Sequence, residues 1–151
     1  MKKFLWVAAV VCFLPVNAKV TLPQLFQDGM VVQRGKPIPV WGKADAGETV
    51  TVCLNKKKAV ATADSDGRWR VDLPAMKAGG PFELTVNEQR IKDVMVGDVW
   101  LLSGQSNIDV TIERVYPNYT DEIDQFSFDK VRLFRVQNET STHGVKEIGR
   151  A

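Results

Sequence analysis

Between residues 20 and 95, apolar and polar positions exchange places at every second residue, in short runs separated by turn-forming residues. Val50, Val52 and Leu54 alternate with Thr49, Thr51 and Cys53. Trp69, Val71 and Leu73 alternate with Arg68, Arg70 and Asp72, and Phe82, Leu84 and Val86 repeat the pattern after Gly79-Gly80-Pro81. Successive side chains of a strand point to opposite faces, so a period of two predicts strands buried on one side only. Shorter runs at Met30 to Gln33 and Ile38 to Trp41 flank the turn residues Gly35 to Pro37. Ala59 to Ala63 follows a polar tip at Lys56-Lys57-Lys58, and Asp64 to Gly67 reads as a further hairpin turn. Many short strands at this spacing predict an N-terminal antiparallel β-sandwich in a mainly β chain.

From Ile91 the pattern changes. Val94 to Leu102 is a longer apolar run, broken only by Gly97 and Asp98, and it suits a strand inside a core. After Ser106, Ile108, Ile112 and Val115 have the spacing of a short helical face, which Pro117 interrupts. Thr120, followed by Asp121 and Glu122, suits the cap of a second short helix through Ile123 and Phe126, with acids at its positive end. Val131 to Val136 reads as another strand. Strand, helical segment and strand begin a βαβ unit, hence a parallel sheet. Such a sheet needs further strands and helices on both faces, so residues 95–151 are expected to be the first part of an α/β domain.

The first residues carry a different signal. Lys2 and Lys3 precede the apolar stretch Phe4 to Leu14, and Val16-Asn17-Ala18 offers small residues for cleavage. This predicts an export signal over residues 1–18, with Lys19 as the new N-terminus and no membrane span once it is removed. Removal takes Lys2 and Lys3 and no acid, leaving 18 basic and 18 acidic side chains. A balanced chain of this kind argues against nucleic acid as a partner, because phosphate contacts need an excess of Lys and Arg. Cys53 would be the single cysteine left; its strand pattern predicts a small buried hydrophobe, and no internal disulfide is expected. An EF-hand reading of Asp64-Ser65-Asp66-Gly67 fails, since Arg68-Trp69-Arg70 occupies positions that should supply oxygen ligands; no metal is assigned. Trp41, Trp69 and Trp100 fall on alternating or buried positions and are assigned to the core rather than to a sugar platform.

The chemistry concentrates where the apolar run stops. Val99-Trp100-Leu101-Leu102 gives way to Ser103-Gly104-Gln105-Ser106-Asn107, all small or polar. Sites in open α/β sheets lie at the carboxyl ends of strands, so Ser106 is a candidate nucleophile. Backbone N–H groups of the next turn could stabilise an oxyanion, Gly104 would allow a close backbone approach or an unusual φ, and Asn107 adds an amide. On spacing alone an ordinary turn is the default reading, since these residue types populate turns freely.

The ordered words "LPQLFQDGMVVQRGKPIPVWGKADAGETVTV", "DSDGRWRVDLPAMKAGGPFELTV" and "DVMVGDVWLLSGQSN" carry more. Together they resemble the start of the sialate O-acetylesterase family, exported hydrolases of the wider SGNH (GDSL-like) esterase class, over about Leu22 to Val136. The resemblance implies a β-sandwich accessory domain over residues 19–94, followed by the first strand-helix-strand of an incomplete SGNH hydrolase domain over 95–151. It also implies that Ser106 is the nucleophile, that its own N–H belongs to the oxyanion hole, and that O-acetylated sialic acid or another acetylated sugar is the substrate. Neither cofactor nor metal is implied. Ile108 stands where the family usually has methionine. The family's histidine and aspartate come from later blocks: His143, the sole histidine, lies in a polar loop, and Asp109 is too near Ser106 to orient a separate base. The competing expectation is a non-catalytic β-sandwich module that binds carbohydrate or a protein partner.

Overall fold

The structure is a computed structural model that describes residues 20–104, 108, 110–125 and 130–136. Among the described residues, seven strands form: β1 (Val31–Gln33), β2 (Ile38–Lys43), β3 (Thr49–Leu54), β4 (Lys57–Thr62), β5 (Arg68–Leu73), β6 (Gly79–Val86) and β7 (Gln89–Gly97). Their order is β1-β7-β6-β3-β4 in one sheet and β2-β5 in the other. Each alternating run of the sequence is found as a strand, and the alternation is what fills the core. Val50, Val52 and Leu54 on β3, Leu84 and Val86 on β6, and Ile91, Val94 and Val96 on β7 all point inward. Ile38 and Val40 on β2 and Trp69, Val71 and Leu73 on β5 face them across a single apolar cluster. Burying side chains of this size stabilises the fold by about 1.5–3 kcal/mol each before chain entropy is set against it.

The arrangement is not wholly antiparallel. β1 runs parallel to β7, with Val31 opposite Met95 and Gln33 opposite Gly97, so the larger sheet is mixed. All other pairs are antiparallel. β1 and β2 flank their turn as expected but belong to different sheets, and Gly35 at φ +70° carries the chain across, its N–H donating to Met76 O.

Turn chemistry sets the hairpins. Asn55 and Lys56 both take positive φ between β3 and β4, the geometry that matches strand twist in a two-residue hairpin. Lys57 and Lys58 accordingly lie in β4 rather than at the tip. In the Asp64–Gly67 turn, the Asp64 carboxylate accepts from the N–H groups of Asp66 and Arg68, and Gly67 supplies φ +73°. Asn87 closes the β6–β7 hairpin and extends the β3 ladder, its side-chain oxygen accepting from Thr51 N–H at 2.8 Å. Cys53 is half-buried rather than buried, because it lies on the face of β3 opposite Val52 and Leu54.

Beyond Gly97 the expectation and the structure part. Neither 99–102 nor 131–136 has strand geometry, and their apolar side chains stand in solvent: Trp100 is 83% exposed, Leu101 90% and Leu133 89%. Apolar composition favours extended structure, but a strand also needs a hydrogen-bonded neighbour, and none of the described residues supplies one. Between them lie two short helices, α1 (Ile112–Val115) and α2 (Thr120–Asp124), joined by a 3-10 turn at Tyr116–Asn118. Asp121 and Glu122 occupy the first turn of α2 as expected. Thr120 does not cap it: Tyr119 is the cap residue, and the Thr120 hydroxyl donates back to Tyr116 O. The Tyr116 hydroxyl donates to Asp124 at 2.9 Å, and that bond raises the phenol above its usual range.

Candidate active site

The chain just beyond β7 is held at Asp98 and Val99 by the end of β1. Arg34 N–H donates to Gly97 O at 2.8 Å, continuing the parallel ladder one step. The Gln33 side-chain oxygen accepts from Val99 N–H at 2.9 Å, and Arg34 Nε donates to Asp98 Oδ1 at 2.8 Å. This hydrogen bond is the main reason the Asp98 carboxyl sits below the usual carboxylate range. Asp98 and Val99 are thus held from both the backbone and the side chain, immediately before the chain enters the exposed stretch Trp100 to Gly104.

Gly104 is exposed, and its φ lies outside the left-handed region. A Cβ there would lie 3.9 Å from Ile108, an ordinary contact, so neither an unusual φ nor a close approach requires glycine within the described residues. Ser106 and Asn107 lie outside the described residues, as do Asp109, Phe126 and His143, the export signal at 1–18 and Lys19. Sequence reasoning placed Gly104, Ser106 and Asn107 in one turn; of the three, the structure describes Gly104 alone.

Two arginine contacts were missed. The Arg34–Asp98 pair spans 64 positions. Asp98 stood in a quoted motif, but nothing local marked Arg34 as its partner. Arg132 reaches farther still, donating to Gly29 O at 2.9 Å, to Asp93 O at 2.6 Å and to Asp93 Oδ1 at 3.0 Å. Both contacts bind residues after Gly97 to the β1–β7 side of the larger sheet.

The tryptophans divide. Trp69 is buried as expected, and its indole N–H has no partner among the described residues. Trp41 is 37% exposed and rests edge-on against Phe26, with ring centroids 4.9 Å apart. It occupies the outer face of β2, so the core assignment fails there as it does at Trp100. An open cleft of about 600 Å³ lies beside Arg34, lined by Gln33, Gly35, Met76, Lys77 and Ala78, and Gly104 does not line it. Among the described residues, no three His, Cys, Asp or Glu side chains gather to hold a metal, and no helix is long and apolar enough to cross a membrane.

No protein-family model matches the chain. Mouse sialate O-acetylesterase is 33% identical over 126 residues, which are 72% of this chain and 23% of the mouse protein. The human sialate O-acetylesterase is 36% identical over 112 residues, 64% of this chain and 21% of its own length. Among solved structures, a carbohydrate acetylesterase from Xanthomonas citri shares 46% identity at a TM-score of 0.58, over 59% of this chain and 22% of that one. The chain therefore spans about a fifth to a quarter of the length of the curated relatives it matches. Sequence and fold agree: in its matched part, this chain belongs to the sialate O-acetylesterase family.

Proposed function

We propose that this chain is part of an exported serine esterase that removes O-acetyl groups from sialic acids or related acetylated sugars, with Ser106 as the nucleophile. The observation that carries the reading is its 46% identity to a carbohydrate acetylesterase, joined to 33–36% identity with sialate O-acetylesterases. Residues 1–18 direct export, residues 19–94 form the accessory β domain, and residues 95–151 open an SGNH-type catalytic domain. Ser106 Oγ attacks the acetyl carbonyl while a base takes its proton. Backbone N–H groups at the turn that holds Gly104 and Asn107 stabilise the oxyanion. The bond between the acetyl carbon and the sugar oxygen then breaks, and the sugar leaves as an alcohol with the proton held by the base. Water hydrolyses the acetyl-serine to release acetate and restore the hydroxyl. No cofactor takes part in these steps.

A serine hydroxyl is a weak nucleophile until a base is placed beside it. The resemblance assigns that base to a later block, and His143 is the single histidine of these 151 residues. The 151-residue chain by itself should therefore turn over ester slowly or not at all, whereas the full gene product should be active. On the full product, a fluorophosphonate probe is expected to label Ser106 covalently, and Ser106→Ala should lose the label and at least about 10³-fold in kcat. Absent labelling, with sugar binding unchanged by Ser106→Ala, would replace the esterase by a non-catalytic binding module.

A further inference from the structure

The middle of β7 carries a β-bulge with an unusual occupant. Leu84 lies opposite Ile91 and Phe82 opposite Val94, so three steps on β7 match two on β6. The bulge contains Asp93 at φ +56°, a left-handed conformation that favours glycine and that a non-glycine residue keeps only when its surroundings hold it there. The neighbouring loop is fastened to the same place: Lys92 N–H donates to Asp28 Oδ1, and Gly29 N–H donates to Lys92 O at 3.1 Å. The β domain thereby brings Gly29 O, Asp93 O and Asp93 Oδ1 together. All three accept from the guanidinium of Arg132 at 2.6–3.0 Å. Leu133, beside Arg132, is almost fully exposed, so apolar packing of that side chain does not hold the segment in place.

We infer that the bulge of β7 and the Gly29 carbonyl form a guanidinium-binding site of the β domain, whose occupant is Arg132 and whose role is to fix residues 130–136 against that domain. A guanidinium suits it because its planar donors can satisfy several oxygens at once, whereas an ammonium acts as a point charge. With the Arg34–Asp98 pair, this clamp fastens Asp98 and Arg132 to the same β1–β7 side of the β domain. The clamp stands whether or not Ser106 is a nucleophile.

Chymotryptic cleavage of the native 151-residue chain after Leu133 and Phe134 tests it. Each rate is divided by the rate for the same variant unfolded in urea, which removes any effect of the substitution on the protease itself. Cleavage of a protected site follows the population of the detached form, and three charge-assisted bonds hold it closed, so Arg132→Met should be cut about tenfold faster than wild type. Arg132→Lys should resemble Arg132→Met more than wild type. Asp93→Gly keeps the left-handed backbone and both carbonyls while losing the carboxylate, and should fall between the two. Added salt should speed wild-type cleavage and leave Arg132→Met unchanged, because the partly exposed ion pair is screened. Equal normalised rates for wild type and Arg132→Met overturn the inference, and so does full restoration by lysine.

Discussion

Asp98 shows what a single residue's partner does that its motif cannot. In the sequence it is one acid in an apolar run; in the structure it takes a hydrogen bond from Arg34, a residue 64 positions away, at 2.8 Å. That bond lowers its carboxyl below the ordinary value, so the folded state binds a proton less readily than the unfolded one. The sign follows from linkage: the contribution is present above the unfolded aspartate value and is lost as pH falls through the lower, folded one. Both side chains are about half exposed, which keeps the effect small and sensitive to salt. Asp98→Asn should therefore melt slightly below wild type from neutral pH down to about pH 5, with the gap closing as pH falls through and below the ordinary aspartate range. Melting curves across that range check it, and a gap that widens in acid would contradict the pairing. Gly67 is the opposite case: its turn was legible because Asp64-Ser65-Asp66-Gly67 names both the side-chain acceptor and the positive φ.

Elements were legible wherever the alternation had a core to face. The runs at Val50–Leu54, Trp69–Leu73 and Phe82–Val86 became β3, β5 and β6 because the period of two fixes which side chains turn inward. The pairing of β1 with β7 was not legible, since parallel partners some sixty residues apart leave no local mark. The runs at Val99–Leu102 and Val131–Val136 misled for a related reason: composition states a preference for extended backbone, while a strand requires a neighbour. Turn composition at Ser103 to Asn107 marked the candidate site, but the base and any substrate pocket depend on residues brought from elsewhere, which no local pattern reveals. The difference between a central and an edge strand is measurable. Leu84 lies on β6, between β7 and β3, and is fully buried, whereas Val60 on the edge strand β4 is 54% exposed. Leu84→Ala should cost about 2–5 kcal/mol, through lost transfer energy and the cavity left behind. Val60→Ala should cost no more than about 0.5 kcal/mol. Urea titrations followed by tryptophan fluorescence compare them, and similar costs would mean that β6 does not sit at the centre of the core.

At the scale of the whole molecule, the buried apolar side chains among the described residues all fall between Val20 and Val96, while the apolar side chains of 99–102 and Leu133 face solvent. The chain therefore divides into a part that makes the core and a part that adds apolar surface without burying it. Exposed apolar side chains in a run, as at Trp100, Leu101 and Leu102, make a surface prone to association. Of the described residues, a chain from Val20 to Asp98 keeps every buried side chain and every strand, and gives up the contacts of later ones, the Arg132 clamp among them. It should unfold in one cooperative transition, with a stability within about 3 kcal/mol of the 151-residue chain, the upper range for lost hydrogen bonds to a charged group. Its urea m-value should be close to that of the longer chain, because m follows the surface exposed on unfolding and the later residues expose little more. A fluorescent dye that reports apolar surface should bind the longer chain and bind the shorter one much less, since Trp100, Leu101, Leu102 and Leu133 are gone. If the shorter chain is unfolded in water, or binds the dye as strongly as the longer one, residues after Asp98 belong to the core, and the division fails.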